Sequence, residues 1–594
     1  MVPIAAAPRS TRLAVRLLAA LSTLPFLLPM GGDPIPSFEA EALAIVLGLA
    51  ALVALVLRGD VPHVGLPAVV VLPLGFALLI LVQICLGAAA QERLAALAIL
   101  ILLWSAVMMC LGATLRSSGG TACGVPVLAG AVLAGAVVNV ALASIQALAL
   151  PDGSPGTLLP MTGGRPGGNL GQPNHLAGQV AFGVVSLGYL WLTDRLRTSL
   201  AAALGLWLAW GWAVTGSRTA WLAWVVIGIL AWAIAPRLGA IPGRRARAGA
   251  GFLAAALPGT IAFWSWLPHA MTAGARFEVG SASFAERLTL WEGAWRLFLA
   301  APLAGQGHGS FASAFLGITP DLPGPLPAVT TAHAHNLPLH VAAEYGVVGL
   351  LVLGGGLLLW WRGVRRGRWT PESLWGIAMV AVCGAHSLVE YPLWYAYFLG
   401  PVAVAAGLAE GPRLECGLRR MGRLGWAAAA GAGVIVLGPL LSDYAFLRSA
   451  GTPGATARST ADSEATVRRV EHLQKHSLLA GYADVGLHRA LNLDAARLPA
   501  KIAFSVQVVR ALPLPDVVFR HALLLSAHGD GAAARWWWSR AVRCYPDEVA
   551  SWVVQARAAH VGVPSTEGDT GVPTAIVRQR EETESWRSFS RTGG

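Results

Sequence analysis

Charge is what this chain has least of. Asp, Glu, Lys and Arg make up 12% of its 594 residues, about half of the roughly 25% found in soluble globular proteins. That shortage excludes a purely soluble protein, a disordered chain and a nucleic-acid binder built on a basic surface. Paired cysteine is missing as well. Cys85, Cys110, Cys123, Cys383, Cys416 and Cys544 include no CxxC spacing, so neither a disulfide framework nor a thiolate metal site is supported. No HExxH or similar metal-ligand spacing occurs either. Apolar residues fill the place of charge: the AVILMFWYC set reaches 55% and the mean hydropathy is +0.60. The chain reads as an integral membrane protein.

A spanning helix needs roughly 20 mainly apolar residues. Such stretches lie near 13–30, 38–57, 66–86, 94–113, 125–150, 174–192, 199–215, 219–235, 249–267, 337–361, 371–389, 393–409 and 424–441. They predict an all-α polytopic membrane protein with about thirteen transmembrane helices. The first stretch ends in Leu28-Pro29-Met30-Gly31-Gly32-Asp33 without a small-x-small cleavage site, so an uncleaved anchor is expected. Arginines then set the orientation. Connections after alternate spans carry Arg58, Arg116, Arg195 with Arg197, Arg237 with Arg244, Arg245 and Arg247, Arg362 to Arg368, and Arg413 to Arg423, while the intervening ones are nearly bare. By the positive-inside rule the N-terminus and every arginine cluster are cytoplasmic. Residues beyond about 442 then lie on the opposite side, and most of the net charge of +12 is a topology signal.

Two long extracytoplasmic connections, near 151–173 and 268–336, are rich in Gly and Pro and poor in charge. Loops of that length in a compact bundle are more often functional than filler. The expected organisation is N-terminal transmembrane helices over 1–150, a catalytic transmembrane region over 151–441 that includes the loop 268–336, and a helical extracytoplasmic domain over 442–561. Within that domain, residues 517–525 and 532–544, joined through Gly529-Asp530-Gly531, read as one helical hairpin, either plain or of the tetratricopeptide kind. Residues 562–594 read as a disordered tail.

Four polar clusters fall on the outer side. Gly167 to Leu176 offers glycines that let a ligand approach and the amides and imidazole of Asn169, Gln172 and His175; a turn with an Asn cap explains it as well. Thr215 to Trp221 holds Arg218 in a connection too short to hide it, where a guanidinium fork suits an anion or snorkels as an anchor. Glu286 to Phe298 carries Leu288, Trp291, Trp295 and Phe298 at helical spacing, an interfacial amphipathic helix with Arg287 on its edge. His333 to His340, with Glu344 beyond, closes the long loop. His333 and His335 alternate and make a poor metal pair; a single histidine is suited to general-base work, or else caps or lines a pore.

As a set these segments carry a family pattern. Gly168-Asn169-Leu170-Gly171-Gln172-Pro173-Asn174-His175, Ser217-Arg218-Thr219-Ala220-Trp221 and Glu286-Arg287-Leu288-Thr289-Leu290-Trp291 are three parts. Gly305 to Phe311, Ala334-His335-Asn336 with Glu344-Tyr345-Gly346, and His386 to Tyr395 are the others. Together they resemble the O-antigen ligase and polymerase superfamily, most of all its bacterial protein O-linked oligosaccharyltransferase branch. The resemblance implies a multi-pass enzyme of the bacterial inner membrane with its C-terminal domain in the periplasm. It implies transfer of a glycan from an undecaprenyl pyrophosphate carrier to Ser or Thr hydroxyls of periplasmic proteins, without metal or cofactor. Arg218 and Arg287 would hold the pyrophosphate, and His335 would take the acceptor proton, with inversion at the anomeric carbon. Asn169, Gln172, His175, Glu390 and Tyr391 would contact sugar or acceptor.

The acceptor stays open. A lipid A-core would make the chain an O-antigen ligase, and another glycan a polymerase; the C-terminal helices favour protein. A transporter of lipid-linked glycan is the rival from another class. Transporters gather ionisable groups near the midplane of repeated halves, whereas here they gather at one face and no internal repeat is evident.

Overall fold

The computed structural model describes residues 9–57, 63–117, 121–148, 165–234, 236, 240–266, 273–327, 331–367, 369–417, 420–450 and 460–564. Residues 151–164 of the first long connection and 565–594 of the expected tail lie outside them. The chain is helical. In order the helices are α1 (Arg9–Leu21), α2 (Leu24–Leu27), α3 (Phe38–Leu57), α4 (Val71–Cys85), α5 (Glu92–Ser117), α6 (Thr121–Leu148), α7 (Pro173–Leu192), α8 (Thr198–Thr215), α9 (Arg218–Ile234) and α10 (Ala240–Trp266). They continue as α11 (Ala273–Ala300), α12 (Phe311–Ile318), α13 (Leu337–Arg366), α14 (Pro371–His386), α15 (Ala396–Glu410) and α16 (Arg420–Ala450). The C-terminal series is α17 (Thr460–His476), α18 (Ala480–Arg489), α19 (Leu498–Ala511), α20 (Pro515–His528), α21 (Gly531–Cys544) and α22 (Val549–Ala558).

Each of the thirteen apolar stretches falls largely on helix. Ten helical segments among the described residues are long and apolar enough to cross a membrane. The other three, α9, α14 and α15, have 17, 16 and 15 residues. These three are short because polar turns cut them off. Helix α9 begins at Arg218, and the segment Ser387–Tyr395 separates α14 from α15.

The chain divides into two compact units. The first, residues 1–78, 98–279 and 351–448, is an apolar bundle. Within it α5 comes close against α15. A Cβ on Gly112 would strike the Val404 carbonyl and one on Gly407 the Met109 carbonyl, so reciprocal glycines let the two backbones touch. At the end of α15 the buried Glu410 accepts from the backbone amides of Ala68 and Val69 at 3.0 Å each and from Arg413 Nε at 3.1 Å. The two-stranded sheet lies beside it: β1 (His63–Leu66) runs antiparallel to β2 (Leu414–Gly417), with His63 opposite Gly417.

The second unit comprises residues 79–97, 280–350 and 449–594. Helix α12 of the long loop is fastened to the C-terminal helices. Leu316 enters the core formed by Val518, Phe519, Leu523 and Trp538. Arg543 donates to the carbonyls of Thr319 (3.0 Å) and Leu322 (2.7 Å), and Arg540 to that of Gly317 (3.1 Å). The expected hairpin is α20–α21, closed by left-handed Gly529 and by Asp530, whose carboxylate accepts from Ala533 N at 3.0 Å. It is one pair in a run of six helices rather than a lone unit.

That run encloses a polar knot. Ser505 Oγ lies 2.7 Å from His488 Nε2 and 2.9 Å from His521 Nδ1, all three buried. Burial, then the nearby Arg520 and His521, pulls His488 down to about 4, and burial alone pulls His521 down to about 4. The folded state therefore resists protonation that the unfolded chain accepts from about pH 6.5 downward, so stability is lost as pH falls from there towards 4. Each shift is worth at most about 3 kcal/mol. Hydrogen exchange of the intact protein should show protection of residues 498–528 intact at pH 7.5 and much reduced at pH 5. Equal protection at both would contradict this account.

Candidate functional site

In the first unit, three segments far apart in sequence meet in one chain of hydrogen bonds. The loop before α7 is fixed from α6: Asn139 Oδ1 accepts from Asn169 N (3.1 Å) and Gln146 Oε1 from Gly168 N (2.8 Å). Gly171, at φ 64, turns the chain, and the Gln172 side chain caps α7 by accepting from His175 N at 2.6 Å. One residue into the helix, Asn174 is the bridge. Its Oδ1 accepts from Ser217 Oγ at 2.6 Å and its Nδ2 donates to Glu390 Oε1 at 2.6 Å. Ser217 N in turn donates to Thr215 Oγ1, and Thr219 N to Ser217 Oγ, both at 3.2 Å. Arg218 follows directly, exposed at the first position of α9. Arg165 donates from Nε to the Thr215 carbonyl at 2.9 Å, bringing a second guanidinium to the turn that carries Arg218.

Aromatic rings wall this chain. His175 is buried, with Nδ1 3.2 Å from Tyr397 Oη and its ring edge-on to Tyr395 at 4.7 Å. Tyr391 stacks on Tyr395 at 5.8 Å. Burial first, and then the Glu390 carboxylate, pushes the Tyr391 hydroxyl above its ordinary value.

The expected residues thus divide. Glu390, His175 and Tyr391 gather near Arg218 and Asn174. Asn169 instead spends its amide on the Leu27 carbonyl (2.9 Å), and Gln172 spends its oxygen on the helix cap. Asn174, Ser217 and Arg165 carry the connections between the segments.

In the second unit, α11 and the loop before α13 supply Arg287 and His335. Helix α11 packs with Leu290, Ala294 and Leu297 inward, while Leu288, Trp295 and Leu299 stay exposed. Arg287 is half-buried beside Glu286. Burial raises the Glu286 carboxyl, and the charges of Arg287 and His335 act against that rise, so all three groups share one neighbourhood. His335 itself stands at φ 49, in the left-handed region that non-glycine residues rarely adopt. Both neighbours hold it there. Ala334 is fully buried, and Asn336 opens α13 by accepting from Leu339 N at 3.1 Å.

Behind this loop lies a buried carboxylate to which the sequence assigns no role. Glu344, 2% exposed, accepts from Phe311 N at 3.1 Å and lies 3.5 Å from His340 Nε2 and 3.7 Å from His308 Nδ1. His308 also meets Tyr345 Oη at 2.6 Å, and the His333 ring sits 5.3 Å from that of His340. Burial lowers His308 despite Glu344, and it lowers His333 well below the usual histidine range, helped by the surrounding imidazoles. His340 and Glu344 stand one helical turn apart; that spacing was the available signal.

Three family models match this chain. One described as O-antigen ligase covers residues 201–354, one described as protein glycosylation ligase covers 166–191, and one described as the C-terminal part of a virulence factor membrane-bound polymerase covers 374–559. A general O-oligosaccharyltransferase of Acinetobacter baylyi is 27% identical over 420 residues, which is 66% of this chain and 69% of that relative. Helices, motifs and matches together define a membrane enzyme, a ligase-type glycosyltransferase. Over these stretches the chain is similar to O-antigen ligases and O-oligosaccharyltransferases.

Substituting Asn174→Ala takes a donor from Glu390 and an acceptor from Ser217 in low-dielectric surroundings. The expected cost is about 1–3 kcal/mol, read as a lower thermal midpoint in detergent. Asn169→Ala, which leaves the bridge in place, should leave Ser217 and Glu390 protected. Equal loss of exchange protection around 215–219 in the two variants would contradict the assignment of the bridge to Asn174.

Proposed function

We propose that this enzyme transfers a glycan from undecaprenyl pyrophosphate to Ser or Thr hydroxyls of periplasmic proteins, in the bacterial inner membrane with its N-terminus cytoplasmic. The observation that supports the reading is that Arg287 and His335, in one compact unit, both act electrostatically on the Glu286 carboxyl. In the proposed step the acceptor oxygen attacks the anomeric carbon from the face opposite the leaving group. The bond from that carbon to the pyrophosphate oxygen breaks, and the lipid pyrophosphate departs with the electron pair. His335 takes the acceptor proton, and Glu286 balances the imidazolium. Arg287 is the proposed partner of the pyrophosphate. Pyrophosphate is a good leaving group, so fixed positive charge and one base are sufficient.

The protein acceptor is supported by the name of the Acinetobacter relative and by the C-terminal helices, whose α20 and α21 belong to the same unit as His335. Lipid A-core or a growing glycan as acceptor is the second reading, favoured by the family descriptions that name a ligase and a polymerase.

Purified enzyme with an undecaprenyl pyrophosphate oligosaccharide and EDTA is expected to glycosylate a Ser/Thr-rich periplasmic protein. His335→Ala should lower the rate by at least about 100-fold while donor binding persists. Arg287→Lys should recover only part of what Arg287→Ala loses, because an ammonium cannot form the bidentate contact. Product only on lipid A-core would select the second reading. No product on any acceptor, with glycan crossing reconstituted vesicles, would select a transporter.

A further inference from the structure

The first unit contains a hollow that the proposed chemistry does not use. Helices α7 to α10 and α14 enclose a cavity of about 410 Å³, within the range of about 300–1,000 Å³ typical of small-molecule sites. Its wall is hydrocarbon and indole, including Leu187, Trp191, Phe252, Leu253 and Trp375. Gly188 faces it, and a Cβ there would meet nothing within 4 Å. The cavity reaches Leu192 and Thr198, at the C-terminal end of α7 and the start of α8. Asn174 and Ser217 occupy the opposite ends of those helices. On α7 the lining begins at Val184, about 15 Å of helix beyond Asn174, so the hollow is separate from the polar chain around Asn174.

The flanks of the hollow are cationic. The turn from α7 to α8 carries Arg195 and Arg197, and the first turns of α10 carry Arg244, Arg245 and Arg247. Two acids stand against these five. Asp194 pairs with Arg245, and Glu372 accepts from the Tyr189 hydroxyl at 3.3 Å. Arg197, Arg244 and Arg247 are exposed. An apolar hollow with surplus guanidinium at its end is complementary to an amphiphile with an anionic phosphate head, since the guanidinium fork matches phosphate oxygens.

We propose that this cavity receives an acyl chain of an anionic glycerophospholipid from the surrounding bilayer, with the lipid phosphate on the arginines between α7 and α8 and at the start of α10. The lipid binds the folded protein only, so it stabilises by mass action.

The test uses the full-length protein in detergent, delipidated and then offered phosphatidylglycerol, phosphatidylcholine or undecaprenyl phosphate. Phosphatidylglycerol should raise the thermal midpoint by several degrees and persist as a one-to-one complex in native mass spectrometry; the other two should do neither. Gly188→Leu fills the hollow, and the triple variant Arg197→Gln, Arg244→Gln, Arg247→Gln removes surplus charge. Each should weaken phosphatidylglycerol retention several-fold, and if one fails to fold the other decides. Equal stabilisation by phosphatidylcholine, preference for undecaprenyl phosphate, or wild-type retention by the folded variants would overturn the proposal.

Discussion

A carboxylate only 1% exposed among apolar helices must be met by donors or stay protonated, and Glu390 sits in that position. Asn174 meets it from the first turn of α7, and the other half of the same amide takes the Ser217 hydroxyl. Neither interaction can be given up separately, because one amide group serves both. The turn before α9, the start of α7 and the turn after α14 are thereby locked to one another, and the direction in which Arg218 leaves its turn follows from them. The glycine contacts between α5 and α15 bring helices together, but they carry no directional information of this kind.

The second unit repeats the principle with a different carboxylate. Glu344 takes the Phe311 amide and lies within reach of His308 and His340, so the loop 305–311 and the start of α13 are organised around one buried charge. Gln83 reinforces the arrangement from outside: its amide donates to the Glu344 carbonyl at 3.0 Å and its oxygen accepts from His308 N at 2.9 Å. Several imidazoles near one carboxylate resemble a catalytic cluster, yet His333 and His308 are held neutral by burial.

Much of this architecture was legible before any coordinates. Runs of apolar residues marked the helices because a bilayer leaves backbone amides no partner except their own helix. The motif segments were legible as segments. Which amide in Gly167–Leu176 does the bridging was not, because Asn169 and Asn174 are the same residue type. Their roles differ only in that one faces the Leu27 carbonyl and the other faces Ser217 and Glu390. In α11 the period of Leu288, Trp291 and Trp295 correctly implied a helix with an apolar stripe. The buried face is instead Leu290, Ala294 and Leu297, set a little way around. In a membrane chain both faces can be apolar, one against protein and one against lipid, so periodicity alone does not tell them apart. Glu344 escaped a role because its partner His308 lies 36 positions earlier in the chain.

His335 shows why these supporting groups matter to chemistry. A left-handed backbone at a residue with a Cβ costs roughly 1–2 kcal/mol, and it persists only where the surroundings over-determine it. Here Ala334 is anchored in the core with Leu290 and Phe311, and Asn336 is committed to capping α13. With both neighbours fixed, the strained residue between them cannot relax without breaking a core contact or a helix cap. The left-handed backbone at His335 is therefore held from both sides. The strain at His335 is offset by the buried alanine and the helix cap on either side.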